Sequence, residues 1–93
     1  MVFLIAALAA VAIAAVIAWL SFTMVKNWIG ANQIRDKNYV NVVFKEKLES
    51  GSYKTVAGVF NFKRKEISVA TAWESKHIDS ELEELDRISV IRD

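Results

Sequence analysis

The sequence predicts a single N-terminal transmembrane α-helix followed by a small α+β domain of antiparallel β-β-β-α-β order. Three observations predict it. Residues 1–25 carry no charged side chain. All twelve Lys and Arg and all eleven Asp and Glu therefore fall in residues 26–93. In that charged part, runs rich in β-branched and aromatic residues are separated by Gly, Ser and Asn, the pattern of short strands and turns.

The core of the uncharged run, residues 2–20, holds only Val, Phe, Leu, Ile, Ala and Trp. A spanning helix needs roughly 20 apolar residues to cross about 30 Å of hydrocarbon. The ten Val, Ile, Leu and Phe of the core contribute roughly −3 to −6 kcal/mol toward insertion. A cleaved secretion signal is the rival reading, but it wants a basic start and small residues after the apolar stretch. Here the first basic residue is Lys26, and bulky Trp19 and Leu20 end the core with Phe22 and Met24 just beyond it. A helix apolar on every face is also hard to wrap in so short a chain. The expected organisation is a transmembrane helix over residues 1–29, a short linker over 30–37 and a small domain over 38–93. Lys26, Arg35 and Lys37 on the C-terminal flank place the N-terminus outside and the domain in the cytoplasm.

Within the expected span, Ala6, Ala10, Ala14 and Ala18 recur every fourth residue, which lines them along one helix face. Small residues let helix backbones approach closely in lipid, so this face is the candidate for packing on a partner helix or on a second copy. No polar residue interrupts the core, so nothing in it marks an ion or proton path. Trp19, Phe22, Lys26 and Trp28 form a candidate membrane-interface collar, with rings and ammonium at headgroup level. Gly30 offers a hinge or a helix end.

The remaining elements follow in order. Residues 39–46 (YVNVVFKE) read as a strand, Ser50-Gly51-Ser52 as a turn and residues 53–61 (YKTVAGVFN) as a second strand. Gly58 inside it marks a bulge or close packing. Residues 62–65 form a hairpin loop, and residues 67–73 (ISVATAW) alternate as a third strand. Asp79 or Ser80 caps a short helix running to about Asp86, with Ile78, Leu82 and Leu85 at helical spacing. Residues 88–91 (ISVI) read as a last strand. A domain this small buries only about 60% of its unfolded surface, and without cysteine it has no disulfide to staple it.

Catalytic signals are missing. His77 is the single histidine and there is no cysteine, so the usual zinc sites cannot be built. The three glycines, Gly30, Gly51 and Gly58, form no phosphate loop. Glu81, Glu83, Glu84 and Asp86 lack calcium-loop spacing and read as a solvated face. Lys63, Arg64 and Lys65 give a basic hairpin tip, a candidate contact for anionic lipid or a partner protein. A net charge of +1 argues against nucleic-acid binding.

The apolar start is similar to the N-terminal helix of pilin-like subunits, although Ile5 stands where type IV pilins typically carry Glu. The sequence thus leads to a non-catalytic single-pass membrane protein, an accessory or structural subunit without cofactor. Its expected partners are membrane lipid and other membrane subunits, or itself through the alanine face. The alternatives are a phage or bacterial membrane modulator of immunity type and a surface filament subunit with its domain outside.

Overall fold

The structure, a computed structural model, describes residues 2–91. Met1, Arg92 and Asp93, which begin the expected span and end the expected domain, lie outside the described residues. The elements in chain order are α1 (Val2–Ala9), β1 (Ala15–Leu20), α2 (Phe22–Asn32), β2 (Tyr39–Lys47), β3 (Tyr53–Asn61), β4 (Glu66–Ile78), α3 (Ser80–Glu83) and β5 (Ile88–Ile91). The five strands form one sheet in the order β1-β4-β3-β2-β5. β1 runs parallel to β4, and the other neighbours are antiparallel.

This corrects the expected fold class. The uncharged run is no single helix: it is divided among α1, β1 and the first turn of α2. No helix among the described residues is long and apolar enough to cross a membrane. The longest of these, α2, has eleven residues, against the roughly 20 that a bilayer needs. The single-pass accessory-subunit role, the membrane localisation and the N-out orientation rested on that span and are corrected with it. So are the modulator and filament alternatives, which used the same helix as their anchor.

The reason for the uniform apolarity lies in the sheet. Its two faces carry separate cores, and the run feeds both. On one face Leu4 and Leu8 of α1 pack with Val42, Phe44, Val56 and Ala72. On the other, Leu20 of β1 and Val25 and Ile29 of α2 pack with Val43, Ala57, Ile78 and Leu82. A chain that serves first one face and then the other must pass the sheet edge, and β1 is that passage. An apolar stretch used this way has no helical period to betray its breaks. Residues 10–14 turn the chain, with the Ala14 N–H donating to the Ala72 carbonyl at 2.8 Å. Ser21 then starts α2, its Oγ accepting from the Met24 N–H at 3.2 Å, as an N-cap hydroxyl does.

The hairpins keep the antiparallel strands in register. Gly51 turns β2 into β3 at a φ of 91°, a left-handed conformation that glycine adopts without a Cβ penalty. In the β3–β4 loop the buried Asn61 carboxamide oxygen accepts from the Lys63 and Arg64 N–H groups, both at 3.0 Å. Ser68 is the extra residue of a bulge in β4, where Val59 pairs with Val69 and Phe60 with Ile67. Gly58 sits under α1, and a Cβ there would stand 3.4 Å from Leu8 Cδ2.

Two sheet lysines close helix ends, one for each of two helices. The Lys54 ammonium, on a side chain only 9% exposed, donates to the last carbonyl of α1, at Ala9, at 2.7 Å. The Lys45 ammonium donates to the Leu82 carbonyl of α3 at 2.6 Å and also to that of Glu83. Both satisfy carbonyls that a helix C-terminus leaves without an intrahelical partner.

Candidate strand-pairing edge

The two rims of the sheet differ in chemistry. β5 has four residues and follows Asp86 and Arg87. The Arg87 guanidinium lies 5.3 Å from the Phe44 ring centroid, spreading charge over that rim. β1 has six residues, AVIAWL, none of them charged. Every edge strand presents unpaired backbone N–H and C=O groups, and proteins usually guard them with charges, proline or very short strands. β5 follows that practice and β1 does not.

The exposed side chains sharpen the contrast. Val16 is 72% exposed and Trp19 is 57% exposed, while Ile17 between them is half-buried and packs on the α2-side core. The inside–outside alternation of β1 breaks at Ala18 and Trp19, which are both exposed, before Leu20 turns in to full burial. Trp19 pairs in register with His77 of β4, and their rings lie 5.4 Å apart at 37°. Beside the strand lies a cavity of about 330 Å³ lined by Val16, Ile17, Ala18, Ser52, Glu74, Ser75 and Lys76. Glu74 registers with Val16, so an acidic and a basic side chain flank the uncharged rim from the next strand.

Both ends of β1 are fastened. Ala14 is tied to β4 as described, and the Leu20 carbonyl accepts from the Asp79 N–H at 3.2 Å. The Asp79 carboxylate then serves two helices: Oδ2 accepts from the Phe22 N–H at the start of α2 at 2.7 Å, and Oδ1 from the Leu82 N–H of α3 at 3.1 Å. Carboxylates at helix N-termini are favoured by both the orphan N–H groups and the dipole. The result is an extended strand held in place before anything pairs with it.

A second cleft, about 470 Å³, lies among Lys45, Glu46, Lys47, Tyr53, Ile78, Glu83 and Arg87. Its cations are already engaged: Lys45 with the α3 carbonyls, Lys47 over the Tyr53 ring at 5.7 Å and Arg87 over Phe44. Burial lowers the Lys45 pKa from its ordinary 10.5, against the opposing fields of Glu83 and Asp86. Among the described residues no group of three or more His, Cys, Asp or Glu is placed to hold a metal ion.

The residues singled out in the sequence are dispersed by this fold. Ala6 lies on α1, Ala10 in the turn after it, Ala14 just before β1 and Ala18 in β1, all exposed and on no common helix face. Of the aromatic and cationic group, Trp19 is on the β1 rim and Phe22 opens α2, with the Lys26 ammonium 5.6 Å from the Phe22 centroid. Trp28 is half-buried against the α2-side core. Lys63, Arg64 and Lys65 are exposed on the β3–β4 loop, Arg64 within 3.8 Å of Glu66. Val16, His77 and Asp79 complete the rim and were not read as site residues. The cap at Ser21 after a β-branched Val16-Ile17 pair was the signal available for them. No protein-family model, curated protein or solved structure matches this chain.

Proposed function

We propose that this chain is a non-catalytic protein-interaction module that receives an extended, uncharged strand on its β1 rim. The observation that carries the reading is a six-residue edge strand with no charge, exposed Val16 and Trp19 and both ends fastened. Strand addition takes affinity from main-chain hydrogen bonds and specificity from alternate side chains. A rim already straightened by Asp79 and Ala72 loses little further freedom on pairing, which favours binding. The partner strand must be apolar or neutral, because a charge placed against Val16 or Trp19 would be desolvated without a counter-charge on β1.

The test uses a fluorescent peptide of residues 14–21 carrying lysine tags beyond its ends for solubility. Its anisotropy is titrated with the intact chain and with Val16→Lys. Binding by the intact chain, weakened at least tenfold in Val16→Lys, is the expected result. Equal binding by both chains, or none by the intact chain at roughly millimolar protein, a free energy of only about −4 kcal/mol, would overturn the reading.

A further inference from the structure

We infer that the strand received by β1 is the β1 of a second copy, paired antiparallel about a two-fold axis beside Ile17 and joining two five-stranded sheets into one of ten strands. This rests on the strand-acceptor reading above and names its partner. The first support is that β1 itself has the chemistry its rim demands: six extended residues, apolar and uncharged. The surface is therefore self-complementary, which is what a two-fold interface requires.

Register follows from size. An axis normal to the sheet keeps each face on its own side, so paired residue numbers have a constant, even sum. Centring on Ile17 sets the exposed Val16 against the partner's small, exposed Ala18. Centring one residue later would set Val16 against the partner's Leu20, a position that is fully buried within each chain. The Ile17 centre instead opposes the large exposed Val16 to a small exposed residue.

Charge is compatible with the same arrangement and adds little affinity to it, because the groups stand three strand spacings, about 14 Å, apart. Glu74 lies in the cross-strand row of Val16, and Lys76 borders the same cavity next to Ala18. The two-fold operation sets Glu74 of each copy in line with the partner's Lys76, once on either side of the axis. Opposite charges thus bracket an uncharged seam. Growth by joining β1 to the β5 rim of the next molecule is opposed, because that rim is two residues shorter and carries Asp86 and Arg87 at its start. The assembly closes at two.

Sedimentation of the full chain from about 1 to 500 μM, a range spanning weak specific association, tests this beside a cross-link. The chain has no cysteine, so Val16→Cys with Ala18→Cys introduces the only thiols. Both sites are exposed, and circular dichroism checks that each variant keeps its fold. The expected results are a twofold rise in mass with concentration, loss of that rise in Val16→Lys and a covalent dimer from the double-cysteine chain on mild oxidation. The Val16→Cys single variant should give at least tenfold less cross-link. A monomer throughout, a dimer unaffected by Val16→Lys, or open-ended polymers would each overturn the inference. A monomer that still binds the peptide of residues 14–21 would remove only the second copy. One that binds neither would remove the strand-acceptor reading too. A monomer that instead co-floats with phosphatidylcholine vesicles would assign the rim to lipid and overturn both.

Discussion

Asp79 joins three pieces of chain through one short side chain and its own backbone. Its N–H ties β4 to the end of β1, one carboxylate oxygen starts α2 and the other starts α3. Removing an N-cap acceptor costs about 0.5–2 kcal/mol, and a hydrogen bond to a charged acceptor contributes about 1.5–3 kcal/mol. Asp79→Ala is therefore expected to destabilise the fold by about 2–4 kcal/mol, read as a lower urea midpoint at an unchanged slope. Asp79→Asn keeps one carbonyl oxygen and should lose about half as much, because its amide nitrogen cannot accept from the second helix start. Equal losses in the two variants would mean that charge, and not the pair of acceptors, is what matters there.

Among the elements, α1 passes over β3 at Gly58. A Cβ there would meet Leu8 Cδ2 at 3.4 Å, Ala70 Cβ at 3.5 Å and the Val69 carbonyl at 3.6 Å, all at ordinary contact distance. Since no left-handed backbone is required at this position, Gly58→Ala should be neutral or stabilise by up to about 1 kcal/mol by restricting the unfolded chain. A loss of more than about 1 kcal/mol in urea unfolding would show that α1 sits closer to the sheet than these distances allow. The readable and unreadable parts of the fold divide on similar local terms. β3 was legible at residues 53–61, and β2 nearly to its end, because β-branched residues there are bounded by Ser, Gly and Asn. β1 was not legible, since a short apolar run inside a longer one has no period of its own. The far end of β4 was missed because ESKHI at residues 74–78 is polar and is held extended by pairing with β1, a contact between distant parts of the chain. α3 stops at Glu83, short of Asp86, where the Lys45 ammonium takes its last carbonyls. Of the candidate site, Trp19 stood out as a ring at a boundary, but which boundary depended on a strand order that no local pattern encodes.

For the whole molecule, the consequence of two unlike rims is a stability that depends on how many copies are present. The radius of gyration, 12.4 Å, matches the roughly 12 Å of a compact domain of this length. A partner that binds only the folded chain stabilises it by mass action. For a two-chain equilibrium, a tenfold rise in concentration supplies about 1.4 kcal/mol per dimer, or about 0.7 kcal/mol per chain. In a domain of this size that raises the melting temperature by about 3–5 °C. The intact chain should show this shift between dilute and concentrated samples, and Val16→Lys should melt at one temperature throughout. Val90 on β5 is the matching control: it is 51% exposed on the opposite rim. Val90→Lys should therefore keep the full concentration dependence. A concentration dependence lost equally in Val90→Lys and Val16→Lys would mean that both rims take part, as in head-to-tail joining, and that the sheet does not close at a two-fold axis beside Ile17.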